Sequence, residues 1–261
     1  MDASMWVAKT GLSAQSTRMT VIANNLANVN TIGFKKDRAN FEYLLYQRIV
    51  QAGAQADATS ETPTGLMLGT GTRVVSTEKI HRQGNMVSTD NSLDVAIAGD
   101  GFFAVQQADG TTAYSRDGSF KISNEGALVT CSGEPLIPAI NIPTDAASVT
   151  IGRDGTVSAE LASGGGISQI GQFQLTRFAN PAGLTPIGRN LYSPTNASGY
   201  PIVGNPGLQG AGMLTQGVLE ASNVNVVEEM VNMIETQRAY EINSKAISAA
   251  DGMLRFLNNN L

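Results

Sequence analysis

The sequence predicts an α+β fold, in which long N- and C-terminal helices form a coiled coil and the residues between them form a central antiparallel β-rich domain. Two observations predict it. Near both ends of the chain, apolar residues recur at spacings of three and four, which is typical of helices that pair along a seam. Between these ends, Asp-Gly dipeptides separate short alternating segments, which is typical of β-hairpins. The 261 residues suffice for one large domain or two smaller ones.

The first helix is predicted from Met5 to Val29, where the spacing alternates between three and four residues. A weaker apolar line, which includes Val7 and Val21, lies well around the helix from this seam. A helix that packs on a single neighbour should be polar on this second line, so we expect two neighbours. The alternative is that the small residues on this line are incidental. Gly33 is suited to end the helix. The predicted seam residues are Met5, Ala8, Leu12, Gln15, Met19, Ile22, Leu26 and Val29.

The second helix is predicted to begin near 222–225, where Asn225 and Glu228 have the spacing of a capping box. Two helices alone rarely bury enough surface to be stable in water, so we expect these helices to need lateral neighbours. The alternative is an ordinary helical layer packed on the central sheet. The predicted seam residues of this helix are Val227, Val231, Ile234, Ile242, Ala246, Ala249, Met253 and Phe256.

The pattern divides the chain into three expected regions. Residues 1–33 with 217–261 form the terminal helical domain, and residues 73–216 form the central β domain. Residues 34–72 are a linker and an extended arm, because the stretch from Gly53 to Gly71 is polar and loose in its pattern. In the β domain, Asp109-Gly110 and Asp154-Gly155 are among the dipeptides that predict tight turns.

Composition and motifs exclude several classes of function. A net charge of −5 without a basic stripe argues against nucleic-acid binding. The chain has no apolar run long enough to span a membrane, and its N-terminus does not read as a cleavable secretory signal. We expect no metal site, cofactor or catalytic residue. His81 is expected at a surface or strand edge and Cys131 as a small buried or strand residue. Asp94 and Glu134 are carboxylates outside the Asp-Gly turns, without any sign of pairing.

The chain resembles the bacterial flagellar rod and hook protein family. An Asn-Asn-Leu-Ala-Asn run, followed by Thr, Gly, an aromatic and a basic residue, matches the N-terminal signature of that family. Residues 222–226, 228–230 and 236–241 resemble its C-terminal signature, and 93–103 and 114–120 resemble its central motifs. The resemblance therefore covers nearly the whole chain. The matching signature residues are Asn24, Asn25, Leu26, Ala27, Asn28, Thr31, Gly33, Phe34 and Lys35.

The resemblance implies a structural subunit rather than an enzyme. Such a subunit polymerises through its terminal helices into a rigid tubular drive shaft that transmits torque and encloses an export channel. Its implied partners are further copies of itself, other flagellar rod and hook subunits, the surrounding ring proteins and the flagellar type III export apparatus. The implied location is the basal-body rod crossing the periplasm, reached without a cleavable signal peptide. The amides of Asn24, Asn25 and Asn28 are expected to bond between chains or, alternatively, to end the helix.

Within the family, the stretch carrying Pro63, Gly65, Leu66, Gly69 and Gly71 resembles the extra segment of the distal-rod member. It is expected to lock neighbouring subunits against bending. The alternatives are a proximal-rod or hook subunit of the same family or, from a different class, a secreted peptidoglycan-binding or peptidoglycan-hydrolysing module.

A second, shorter element has a separate expected role. Phe41 and Leu45 resemble a short hydrophobic element that the gate of the export apparatus recognises. The alternative is that these two side chains make core contacts.

Overall fold

The computed structural model describes residues 3–53, 55–57, 60–61, 63–162 and 166–259. The chain divides into two compact units. The helical unit comprises Met1–Leu26, Asp37–Glu78 and Asn225–Leu261, and the β unit comprises Ala27–Lys36 and Lys79–Val224.

Two long helices run antiparallel in the helical unit: α1, Ala3–Ala27, and α2, Val226–Asn259. Gly11 of α1 lies against Asn243 of α2, whereas Asn25, further along α1, bonds to Glu229 near the start of α2. As the residue number rises along one helix it therefore falls along the other. Asn225 caps α2 as predicted, because its Oδ1 accepts hydrogen bonds from the amides of Val227 at 3.0 Å and Glu228 at 3.3 Å.

The segment expected to be a linker and arm is a two-stranded antiparallel ribbon made of nested hairpins. Its outer pair joins β1 to β6, the next joins β2 to β5 and the last joins β3 to β4. Gln47 lies opposite Leu68 and Val50 lies opposite Leu66. The strands are β1 Asp37–Tyr43, β2 Gln47–Val50, β3 Gln55–Asp57, β4 Ser60–Glu61, β5 Leu66–Leu68 and β6 Thr72–Lys79.

The β unit contains the remaining strands. They are β7 Met86–Ser88, β8 Val95–Ala98, β9 Phe102–Gln106, β10 Thr112–Ser115, β11 Lys121–Ile122, β12 Leu128–Val129, β13 Leu136–Ile137, β14 Ala146–Ile151, β15 Thr156–Leu161, β16 Ile167–Gln172, β17 Leu175–Arg177, β18 Thr185–Gly188, β19 Leu191–Ser193, β20 Ile202–Gly204, β21 Met213–Gln216 and β22 Val218–Glu220. The largest sheet has the order β18-β19-β10-β9-β17-β20, and β13 also pairs with β9. Further sheets are β14-β15-β16, β8-β21, β7-β22 and β11-β12.

The core of the β unit is aromatic and aliphatic. Phe103 on β9 meets Phe120 edge-on at 5.0 Å between ring centroids and Phe173 at 5.9 Å. All three side chains are fully buried together with Val95, Ile97 and Leu175. Burying a large side chain of this kind contributes about 1.5–3 kcal/mol, so this cluster holds the sheets together.

The predicted fold class is confirmed, with two long terminal helices packed together and antiparallel sheets in the centre of the chain. The turn chemistry is also as predicted. Asp109 Oδ1 accepts the amide of Thr111 at 2.9 Å, and Asp154 Oδ1 accepts the amide of Thr156 at 3.2 Å. Gly110 and Gly155 follow these aspartates with positive φ angles of 81° and 84°. These side chains serve the turns and not a reaction.

Candidate assembly surface

The two helices meet through small and polar side chains. Gly11, Arg18 and Asn25 form one line along α1, seven residues apart. Arg18 donates to Asn232 Oδ1 at 3.4 Å, and Thr236 on the same side of α2 is fully buried. A Cβ at Gly11 would come within 3.2 Å of Asn243 Nδ2, so a glycine lets the helices approach there. The contact therefore depends on close approach and hydrogen bonds more than on large apolar side chains.

The α1 half of the predicted seam lies beside this contact line. Ala8 and Ile22 are buried, and they are 8% and 4% exposed. Met5, Leu12, Gln15, Met19, Leu26 and Val29 are half-buried. The N-terminal stripe therefore takes part in packing within the chain, but it keeps some surface accessible.

The α2 half of the predicted seam is exposed. Val227 is 70% exposed, Ile242 67% and Met253 64%. At about 100° per residue, this stripe lies roughly 120° around the helix from the face that contacts α1. The two predicted halves therefore do not meet each other within the chain, and their role in assembly stays a prediction. The exposed members are Val227, Val231, Ile234, Ile242, Ala246, Ala249, Met253 and Phe256.

Asn25 of the family signature is an internal junction. Its side chain is 1% exposed, and all its polar atoms are used within the helical unit. Nδ2 donates to the carbonyl of Asp37 at 2.9 Å and to Glu229 Oε2 at 3.2 Å, while Oδ1 accepts the amide of Asp37 at 2.8 Å. The expectation that this amide bonds between chains is therefore wrong, because the ribbon and α2 already satisfy it. Asn24 is exposed and donates to Asp37 Oδ2 at 3.1 Å.

The end of the signature belongs to the β unit. The backbone carbonyl of Asn28 accepts a hydrogen bond from the Thr31 amide at 3.2 Å, and its side-chain Oδ1 accepts one from the Thr31 hydroxyl at 3.1 Å. These bonds fit the alternative that Asn28 ends the helix. Gly33 has the predicted positive φ, at 68°, and donates its amide to the carbonyl of Glu220 at 2.8 Å. A Cβ there would lie 2.8 Å from the backbone of Arg116, so the position requires glycine.

Lys35 is fully buried in a cluster of charges that sequence analysis missed. Its Nζ donates to Glu220 Oε1 at 2.6 Å and to the carbonyl of Arg82 at 3.0 Å. Glu220 also accepts Arg116 Nε at 2.8 Å and the amide of Gly84 at 2.8 Å. Lys35 and Glu220 are 185 residues apart in sequence, so only the fold reveals the pair.

One carboxylate between two cations explains the charge states in this cluster. Burial raises the pKa of Glu220, but the charges of Arg116 and Lys35 and hydrogen bonds from Lys35 and Gly84 outweigh it, so the net pKa is lowered. Burial lowers the pKa of Lys35, because the charged ammonium loses its solvation. The charge of Glu220 raises this pKa and the charge of Arg116 lowers it, and the net shift is downward. The cluster therefore pairs two basic side chains with a single carboxylate inside the β unit.

The arm residues are exposed on the ribbon. Leu66 is 49% exposed, Phe41 42% and Leu45 89%, so the structure gives no core contact that would account for Leu45. Gly71 has a φ of 111°, and a Cβ there would lie 2.0 Å from the Thr10 hydroxyl, so the ribbon passes very close to α1. A Cβ at Gly65 would lie 2.6 Å from the carbonyl of Val50 across the ribbon. Pro63 is exposed, and Gly69 faces the ring of Tyr46.

Other residues singled out from the sequence have structural environments. His81 is half-buried two residues after β6, and its ring lies between those of Phe102 and Tyr192, with centroids at 5.5 and 5.7 Å. Cys131 is exposed and not buried. Asp94 accepts Thr89 at 2.6 Å and Asn91 at 3.0 Å, which explains its burial without a catalytic partner.

No cluster of metal-ligating side chains occurs among the residues that the structure describes. Within that same part of the chain, neither helix is long and apolar enough to cross a bilayer.

Comparison with known families gives the class of the protein. The profile described as "Flagella basal body rod protein" matches residues 5–35, and "Flagellar basal body rod FlgEFG protein C-terminal" matches 215–260. "Flagellar hook protein FlgE/F/G D1 domain" matches 96–159, within the β unit. These three matches define a flagellar rod and hook protein.

Curated relatives identify the branch of this class. A flagellar basal-body rod protein FlgG from Buchnera aphidicola subsp. Schizaphis graminum is 56% identical over 98% of this chain and 99% of its own length. Proteins of the same name from Borreliella burgdorferi and Bacillus subtilis are 48% and 41% identical, each over 98% or more of both chains. The chain therefore belongs to the flagellar basal-body rod protein FlgG family, which is a family of structural proteins and not of enzymes.

Proposed function

We propose that this chain is a structural subunit of the flagellar distal rod, which polymerises through its terminal helices into a rigid tube around an export channel. Family membership supports the location in the basal-body rod. The tube would transmit torque across the periplasm. Its partners would be further copies of the chain, neighbouring rod and hook subunits, the surrounding ring proteins and the flagellar type III export apparatus.

One observation carries this proposal: the apolar stripe on α2 is exposed. Val227, Ile242 and Met253 are each more than 60% exposed, although they recur at helical spacing. Full burial of an aliphatic side chain contributes about 1.5–3 kcal/mol, so several such residues per subunit give a strong drive toward lateral packing. Exposed apolar stripes of this kind mark interaction surfaces. The helices of adjoining copies are the proposed occupants.

The ribbon supports a second contact between copies. Tyr43 is 77% exposed and Tyr46 56%, and their rings meet edge-on at 5.8 Å. Ile49 and Met67 are also more than half exposed, so apolar groups follow the ribbon on both strands. We infer that the ribbon lies on a neighbouring subunit and stiffens the stack. The export role of Phe41 and Leu45 stays a prediction.

Ile242→Glu tests the helical stripe. The charge would have to be buried in each lateral contact, so polymerisation should be abolished while the β unit stays folded. Ser244→Glu is a matched control, because Ser244 is also exposed on α2 but lies away from the stripe. Sedimentation and electron microscopy measure assembly, and amide NMR spectra measure folding. Normal assembly of Ile242→Glu, or equal loss in both variants, would contradict the proposal.

A shortened ribbon separates a distal-rod subunit from a proximal-rod or hook subunit. Val50 lies opposite Leu66, so an Asn-Gly turn can join them in place of residues 51–65. If the ribbon locks the polymer against bending, assembled tubes of this variant should be more flexible in electron micrographs. Unchanged persistence length would favour the other members of the family.

A further inference from the structure

A cavity of about 200 Å³ lies within the β unit. Its walls include Lys35, His81, Arg116, Arg177 and Phe178, with Asp100 also contributing. A water molecule occupies about 30 Å³ of liquid, so this space can hold a group larger than a single water. None of the contacts that support assembly of the helices involves this cavity.

Hydrogen-bond donors in this cavity are left unused. Lys35 Nζ has two acceptors, Glu220 and the carbonyl of Arg82, so one of its three N–H groups is available among the described residues. Arg177 donates through one terminal nitrogen to the carbonyl of Gln209. Its remaining N–H groups have no acceptor in the described part of the chain. Arg116 differs, because its guanidinium is used by Glu220 and by the carbonyls of Gly99 and Gly101.

His81 has two buried ring nitrogens, and neither has a hydrogen-bond partner among the described residues. An imidazole always presents at least one donor, so an unpaired buried ring is costly and points to a missing partner. The carbonyl of Pro181 lies near enough to favour protonation, but it is not at hydrogen-bonding geometry. The missing partner would therefore lie in the cavity.

The charges around the cavity favour an anion. Lys35, Arg116 and Arg177 are three cations, and Glu220 and Asp100 are two carboxylates, which leaves one net positive charge. Burial, together with the charges of Lys35, Arg116 and Lys79, lowers the pKa of His81 to about 4. The charges that repel a proton from His81 attract an anion to the same place. Asp100 opposes this attraction, but it is exposed and is screened by solvent.

We propose that this cavity binds a small tetrahedral oxyanion, with inorganic phosphate and sulfate as the simplest examples. Lys35, His81 and Arg177 would donate hydrogen bonds to it, and Arg116 would contribute charge. These donors come from three separate segments: the one after α1, the one after β6, and β17. Donors that converge from several directions suit a tetrahedral ion better than a planar carboxylate. The proposal goes beyond assembly and does not depend on it.

The chain contains a single histidine, which allows a direct test on the full-length protein. The Hε1 resonance of His81 is followed by NMR from acid to neutral pH, in sulfate and in sodium chloride of equal ionic strength. Sulfate keeps its double charge over this range, and phosphate serves as the second probe. A bound anion should raise the pKa of His81 by about one unit or more relative to chloride.

Two matched substitutions assign the effect to the cavity. Arg177→Gln should weaken sulfate binding by about tenfold, because it removes a charge-assisted donor. Arg153→Gln removes the same charge from an exposed turn between β14 and β15 and should leave binding unchanged. If Arg177→Gln disturbs amide signals beyond the cavity, Arg177→Lys replaces it, with intermediate affinity expected.

Two results would overturn the proposal. One is a His81 titration that is the same in sulfate, phosphate and chloride. The other is equal weakening by Arg177→Gln and Arg153→Gln, which would show general screening and an adventitious ion only.

Discussion

Replacing Glu220 by Gln should destabilise the β unit strongly. Glu220 is 2% exposed and accepts hydrogen bonds from Lys35, Arg116 and the amide of Gly84. The Gln amide has nearly the same shape, but it is neutral. Its Oε1 can accept from one cation only, and its NH₂ group then faces the other. The substitution leaves two buried cations without a counter-charge.

The expected size of this effect follows from the geometry. Breaking a buried pair by removing one partner costs about 3–5 kcal/mol. Lys35 keeps the carbonyl of Arg82, and Arg116 keeps the carbonyls of Gly99 and Gly101, so we expect the lower part of that range, about 3–4 kcal/mol. Lys35→Met should lower the stability of the Glu220→Gln variant by less than it lowers the stability of the unmodified chain, because the two side chains belong to one network.

Urea unfolding, followed through the amide NMR signals of β9 and β10, measures this loss in the β unit itself. Glu125→Gln is the matched control, since Glu125 is exposed in a turn, and its effect should stay within about 0.5 kcal/mol. A loss below about 1 kcal/mol for Glu220→Gln would refute the view that this carboxylate balances both cations. Simple additivity of the Lys35 and Glu220 substitutions would refute the shared network.

Further predictions concern pH and two signature residues. The pKa of His81 is about 4 in the folded chain and 6.5 in the unfolded chain, so the unfolded chain binds more protons between these pH values. The free energy of unfolding should therefore fall by about 2–3 kcal/mol when the pH is lowered from 7.5 to 4.5. Urea unfolding at both pH values measures this, and His81→Gln should remove most of the slope. Asn25→Ala should lower the stability of the helical unit by about 2 kcal/mol or more, because it leaves the backbone of Asp37 and the carboxylate of Glu229 without this partner. Faster amide hydrogen exchange in the first turn of α2 measures this loss. An unchanged exchange rate would contradict this. Gly33→Ala should lower the thermal midpoint of unfolding far more than Gly133→Ala. Both glycines have a positive φ, but of the two only Gly33 faces backbone atoms. Equal shifts in the midpoint would contradict this prediction.

Much of the fold could be predicted because its signals are local. Helical periodicity near both ends located α1 and α2, and Asn225 marks the start of α2 through a cap that needs only neighbouring residues. Asp-Gly turns at Asp109 and Asp154 likewise depend on interactions two residues apart. The division into three domains stays a prediction.

The candidate surface was only partly predictable. Periodicity identifies an apolar stripe, but it does not say whether the stripe meets a helix of the same chain or of another. In this chain, α2 meets α1 through Asn232 and Asn243, while the apolar stripe through Ile242 is exposed. A polar contact between helices gives no hydrophobic repeat, so the periodicity located the exposed stripe and not this contact.

The sequence by itself determined the two helices, the hairpin-rich centre and the family, because these depend on short-range patterns and on a signature carried by consecutive residues. Only the tertiary structure decided that Asn25 bonds within the chain, that Lys35 and Arg116 share Glu220, and that the loose segment pairs with itself as a ribbon. These features join residues that are far apart in the chain, and a buried charge looks like any surface charge until the fold removes water from around it.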